Sequence, residues 1–202
     1  YFEEKKINPD LKLKIGPHYY YNDYNLKLFP FSGISYTQVF DCNEGGFYST
    51  YKNDRYGFQN PDYEWDNKII DFVLVGDSFT HGACVNPPDD ITGNLRSLFK
   101  NKSFLNLGFG GNGPLTSYAT LREYLDKKTV KNIFFLFFEL NELDDLLLEL
   151  NNPILKRYFD NKNYTQNLFL RQDEIDNLNL IKNNNILDEY NNKTISKLEI
   201  KT

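Results

Sequence analysis

Three short apolar runs, each followed by a segment of helical periodicity, constrain this chain more than any other feature. The runs are IIDFVLV (69–75), SFLNLG (103–108) and NIFFLFFEL (132–140). A nearly continuous apolar run of this length predicts a parallel strand covered on both faces, because a strand with one wet face alternates instead. The first helical segment is DDITGNLRSLFKN (89–101), with Ile91, Leu95 and Leu98 at helical steps. The second is NGPLTSYATLREYLDKK (112–128), where Pro114 suits a first turn and Leu115, Tyr118, Arg122 and Leu125 share a face. In NELDDLLLELNN (141–152), Leu143, Leu146, Leu147 and Leu150 define another amphipathic helix. Strand–helix–strand–helix–strand predicts an α/β fold with parallel pairing and right-handed crossovers.

Residues 1–60 read differently, as an irregular extension punctuated by Tyr, Asn and Pro. Within it, GISYTQVFD (33–41) and GGFYSTYKNDRYGF (45–58) alternate at period two around CNEGG, which predicts a hairpin. The chain therefore divides into an N-terminal extension with short strands (1–60) and an α/β domain (61–202). The stretch 153–202 is Asn-rich and helix-compatible, for example over 166–181, with no evident final strand.

Bulk properties exclude several classes. Hydrophobic content of 40% and aromatic content of 16% are too rich for a disordered chain. A net charge of −5 without a basic block argues against a nucleic-acid partner. The longest apolar run is too short to cross a bilayer, so no membrane span is expected. There is no Met and no signal-like segment at the abrupt start, so the chain is expected to belong to a longer protein. Cys42 and Cys84 fit no zinc spacing, and no metal is expected. They are either free thiols or a disulfide tying the extension to the loop after residue 78, which requires an oxidising compartment.

In open parallel sheets, chemistry gathers at the carboxyl ends of the strands. The three exits are GDSFTHG, NLGFGGNGP and ELNELDD. Ser78 at the first exit is either a nucleophile beside a helix N-terminus or, with Thr80, a helix cap. Gly76 permits the sharp turn before it. The glycines of GFGGNG (108–113) let a backbone N–H approach a ligand, or serve as a turn. A phosphate cradle is a further option, but no Walker lysine follows and no cofactor is expected. Asn141 at the third exit either donates to an oxyanion or caps the next helix.

Taken together, Gly76-Asp77-Ser78, NLGFGGNG and Asn141 in ELNEL resemble the leading blocks of the SGNH hydrolase family, the GDSL esterases. That resemblance implies a three-layer α/β/α flavodoxin-like SGNH fold with a parallel sheet, here without its later strands. It implies Ser78 as nucleophile, supported by Gly76 and Asp77. The oxyanion hole would comprise the N–H groups of Ser78 and Gly111, with Gly110 adjacent, and the Asn141 amide. The implied activity is a serine esterase or O-acyltransferase acting on small-molecule or saccharide esters. The flanking NDRYGFQNPD and GDSFTHGACV look like members found near bacterial polysaccharide and envelope functions, which favours the envelope or periplasm. Leu140 and Glu142 flank Asn141 where the family has Gly and Asp, and the family's Asp-x-x-His block is absent.

A serine nucleophile needs a base. His18, in the lead-in GPHYY, is expected to be a surface or locally packed imidazole away from the sheet. His81 is the alternative base within the chain. The expected base is an Asp–His pair beyond Thr202. The competing reading is a non-catalytic SGNH-like module binding carbohydrate or protein, with PHYYYNDY (17–24) as a stacking surface. The sequence leaves the oligomeric state open.

Overall fold

A computed structural model describes residues 10–44, 46–139 and 142–199. The first apolar run forms β4 (Ile69–Gly76), which lies between β5 (Phe104–Asn106) and β6 (Thr129–Leu136) and pairs in parallel with both. Val73 pairs with Leu105 and Ile133, and Leu74 with Asn106 and Phe134. Ile70, Val73, Leu74 and Val75 are buried, as a central parallel strand requires. Phe72 stacks between Phe104 and Phe134, at 5.1 and 5.6 Å between ring centroids, which adds a cross-strand aromatic ladder to the pairing.

The third run departs from expectation. Instead of a buried strand, β6 is the sheet edge among the described residues, with Ile133, Phe134 and Phe135 41–50% exposed. An apolar run shows what a strand is able to bury, and not that a neighbour covers it.

A second sheet forms in the lead-in. β1 (Lys12–Leu13) runs parallel to β2 (Gln38–Cys42), and β2 is antiparallel to β3 (Ser49–Lys52). The hairpin expected over 33–58 thus exists only in its middle. Beyond Lys52, the buried Asp54 carboxylate accepts the N–H groups of Tyr56 and Phe58, the Asn60 amide and the Trp65 indole at 2.6–3.0 Å. These local bonds replace a strand partner, so the chain turns. Burial pushes the Asp54 carboxyl up to about 6.

The helices are α1 (Ser78–His81), α2 (Ile91–Leu98), α3 (Pro114–Leu125), α4 (Glu142–Asn151), α5 (Pro153–Asp160) and α6 (Gln172–Glu199). α1 and α3 pack on β4 and α2 on β5, while α3, α4 and α5 pack on one another. The last helix begins at Gln172, later than the stretch expected over 166–181.

The expected apolar faces need correction. Ile91 and Leu98 are exposed, and α2 buries Thr92 and Gly93 instead. Tyr118 points outward, and α3 buries Thr116, Ala119, Thr120 and Glu123. Leu143 and Leu147 of α4 are exposed, whereas Glu149 is wholly buried. The reason is that both acidic groups meet donors supplied from elsewhere. Glu123 accepts the Gln166 and Leu168 N–H groups at 2.7 and 2.8 Å, and the Tyr158 hydroxyl. A carboxylate so satisfied occupies a core position that hydropathy assigns to leucine.

One apolar cluster joins Ile15, Tyr20, Tyr21, Phe29, Phe31 and Phe58 of the lead-in with Val73, Leu105, Phe109 and Tyr158. Cys42 and Cys84 form a disulfide, with a Cα–Cα distance of 5.3 Å, which ties the end of β2 to the loop after α1. No helix among the described residues is long and apolar enough to cross a membrane.

Candidate functional site at the strand exits

β4 ends at Gly76, whose φ of +153° turns the chain out of the sheet. A Cβ there would collide with Thr80 Oγ1 and the Leu136 carbonyl oxygen. Asp77 follows as the N-cap, and its carboxylate accepts from the Phe79 N–H at 2.9 Å. The cap is therefore Asp77 and not Ser78. The Ser78 side chain is half-buried, and its hydroxyl makes no hydrogen bond among the described residues. α1 is a single turn closed by Gly82, so the expected helix dipole contributes little at Ser78.

The second exit is locked to the first. Asn106 Nδ2 donates to the Thr80 carbonyl at 2.7 Å, and Asn106 Oδ1 accepts from the Gly108 N–H at 2.9 Å. The Phe109 N–H then donates to the Gly76 carbonyl at 3.1 Å. Beyond it, the lead-in takes the loop's carbonyls. His18 Nδ1 donates to the Gly110 carbonyl at 3.0 Å, and the Tyr21 hydroxyl donates to the Gly111 carbonyl at 2.6 Å. Gly111 has φ +82°, and a Cβ on it would lie 2.7 Å from His18 Nδ1. Among the described residues, the N–H groups of Ser78, Gly110 and Gly111 donate to no acceptor.

A cation completes the cluster. A methyl group on Gly110 would lie 3.6 Å from Lys14 Nζ and 3.8 Å from Ser78 Cβ, so all three groups border one spot. Lys14 pairs with Asp41, whose side chain is 1% exposed and whose Oδ2 accepts from the Cys84 N–H at 2.6 Å. The ammonium is thus held at the disulfide corner of the molecule. Free backbone donors beside an uncommitted hydroxyl are suited to stabilising an oxyanion, while the Lys14 charge is balanced by Asp41.

The loop Gly108–Gly113 spells Gly-x-Gly-x-x-Gly between a strand and a helix, a pattern associated with dinucleotide binding. The anion seat at the start of α3 is already filled. The Glu149 carboxylate accepts the N–H groups of Gly113, Leu115 and Thr116 at 2.8–3.0 Å. The seat that a pyrophosphate takes in that motif thus holds a carboxylate of the chain itself.

The two histidines lie in opposite settings, and His18, expected at the surface and away from the sheet, is exposed but lies against the glycine loop. His81 is fully buried, stacked on Phe109 and edge-on to Tyr51, both at 5.1 Å. Neither of its ring nitrogens has a hydrogen-bond partner among the described residues, and burial, reinforced by Lys14, pushes its pKa down to about 3. His18 instead lies on the glycine loop, 92 residues away in sequence. Although the residue is exposed, desolvation of its ring against the loop lowers its pKa, Lys14 adds less strongly to the shift, and the Gly110 carbonyl and Asp145 oppose it. With Nδ1 protonated toward Gly110, Nε2 is the acceptor nitrogen of a neutral ring. Sequence reasoning missed the roles of Lys14, His18 and Tyr21 because the lead-in around them carries no signal beyond its aromatic content. Leu140 and Asn141 of the third exit lie outside the described residues.

No family model, curated protein or solved structure matches this chain.

Proposed function

We propose that the protein is a serine esterase or O-acyltransferase of SGNH type, acting on ester-linked acyl groups of small molecules or saccharides. The flavodoxin-like three-layer arrangement belongs to the same proposal. The observation that carries it is the uncommitted Ser78 hydroxyl beside the unpaired N–H groups of Ser78, Gly110 and Gly111 and the Lys14 ammonium. Ser78 Oγ attacks the ester carbonyl carbon and yields its proton to an imidazole. The carbonyl oxygen becomes an oxyanion held by the Ser78 and Gly111 N–H groups, with Asn141 as the third donor implied by the resemblance. Collapse expels the alcohol, which takes the proton back, and leaves an acyl-serine. Water or a sugar hydroxyl then accepts the acyl group.

His18 Nε2 is the base in this reading, because His81 is sealed among aromatic rings and His18 borders the oxyanion site. The disulfide favours an oxidising compartment such as the bacterial envelope. A second reading, a non-catalytic binding module, draws on one observation: the Ser78 hydroxyl has no hydrogen bond to an imidazole among the described residues.

Hydrolysis of p-nitrophenyl acetate separates the two. The enzyme reading predicts turnover that falls to background in Ser78→Ala and at least tenfold in His18→Ala. Equal rates in the protein and in Ser78→Ala would remove Ser78 as nucleophile. Loss in Ser78→Ala with full retention in His18→Ala would transfer the base to another residue.

A further inference from the structure

We propose that the cleft between the lead-in and α2, lined by Gln59, Asn53, Tyr36 and Tyr63 among others, is a saccharide-binding site. The cleft encloses about 740 Å³, within the roughly 300–1,000 Å³ of small-ligand sites, and neither Ser78 nor the glycine loop lines it.

Two of its lining residues carry buried polar atoms that the fold leaves unused. Gln59 is only 6% exposed, yet its amide oxygen and nitrogen both lack a partner among the described residues. Asn53 is 3% exposed, and its Nδ2 donates to the Ile34 carbonyl at 2.7 Å. That bond fixes the amide orientation and leaves Oδ1 without a partner. Buried amides are ordinarily satisfied, and each that is not calls for a group to complete it. The unused set comprises an NH2 donor and two carbonyl acceptors. A hydroxyl both donates and accepts, so neighbouring hydroxyls of one sugar ring satisfy that mixed set together. A carboxylate or phosphate, which only accepts, would leave both carbonyl oxygens unmet.

Two lining tyrosines suit the other side of a pyranose. Tyr36 and Tyr63 are 56% and 64% exposed, and both line the cleft. Tyr36 is held at φ +51°, an uncommon conformation for an aromatic residue, and its N–H donates to the Asp54 carbonyl at 3.1 Å. Aromatic faces presented to a cleft cover the C–H face of a sugar ring while its hydroxyls reach polar groups beyond. The Arg96 guanidinium is spent on Glu64, Asn60 and the Phe104 carbonyl, so it braces the cleft and leaves recognition to the amides.

The test is calorimetric titration of the Ser78→Ala protein with tetrasaccharides of β-1,4-linked glucose, N-acetylglucosamine and galacturonate. Using that variant keeps the result independent of the catalytic reading. We expect at least one probe to bind, with affinity at least tenfold weaker in Tyr63→Ala and in Gln59→Leu. Tyr63 is exposed, so its variant retains the fold even where Gln59→Leu does not. Absence of binding by all three probes overturns the proposal and leaves the Gln59 and Asn53 amides to water. Binding unchanged in Tyr63→Ala also overturns it. So does an extended Pro- and Tyr-rich decapeptide that binds with the same Tyr63 dependence while the sugars do not, which would make the cleft a peptide site.

Discussion

Breaking the Cys42–Cys84 bond tests how much of the fold depends on the corner that holds Lys14. The bond spans a sequence separation of 42. Closing a loop of that length in the unfolded chain removes about 13 cal/mol/K of entropy, or about 4 kcal/mol at 25 °C. Near its midpoint, a chain of 202 residues unfolds with roughly 0.4 kcal/mol/K at about 2.1 cal/mol/K per residue. The midpoint should therefore fall by about 9 °C on reduction, and by a similar amount in the Cys42→Ser/Cys84→Ser double variant. Thermal unfolding followed by circular dichroism, with and without a phosphine reductant, measures both. The double variant serves as control, since reductant should not move it further. Because Asp41 accepts from the Cys84 N–H and holds Lys14, the proposed turnover of p-nitrophenyl acetate should fall along with stability. An unchanged midpoint in a sample whose cysteines titrate as free thiols refutes the reasoning.

Two further outcomes follow from the site. The unfolded chain protonates His81 near 6.5 and the folded chain only near 3. Its contribution to stability is therefore complete above pH 6.5 and is lost as pH falls toward 3, at about 1.4 kcal/mol per pH unit. Asp54, raised from 3.8 to about 6, works in the opposite sense, and its contribution is lost as pH rises from about 4 to 6. The His81 effect is thus read as the difference between the protein and His81→Phe in urea unfolding at stepped pH, and parallel curves would contradict it. Gly111→Ala forces a side chain into left-handed backbone at about 1–2 kcal/mol and drives it against His18. It should lower the urea midpoint and cut p-nitrophenyl acetate turnover at least tenfold, whereas retained turnover would remove this loop from the oxyanion hole.

The central strand and its two parallel partners were legible because a covered strand leaves a nearly continuous apolar run, which Ile69–Gly76 does apart from Asp71. Coverage of the partner was not legible, as the exposed Phe134 and Phe135 show. Helix faces failed for a different reason. Glu123 and Glu149 are buried because backbone donors from Gln166, Leu168, Gly113, Leu115 and Thr116 reach them, and no local periodicity reveals so distant a match. At the site, Ser78 and the glycine loop stood out through residue type and position at strand exits. His18, Tyr21 and Lys14 did not, because their roles arise from an irregular lead-in folded across the loop. Proximity in sequence favoured His81, yet its ring is consumed by packing against Phe109 and Tyr51.

The central claim is that Ser78 is a nucleophile poised over a preformed oxyanion hole. Its most direct measurement is reaction with a serine-directed fluorophosphonate, with the adduct located by peptide mass spectrometry. The predicted result is one adduct on Ser78, retained in His81→Phe, reduced in His18→Ala and lost in Ser78→Ala. No adduct on Ser78, or equal labelling of the Ser78→Ala protein, would contradict it.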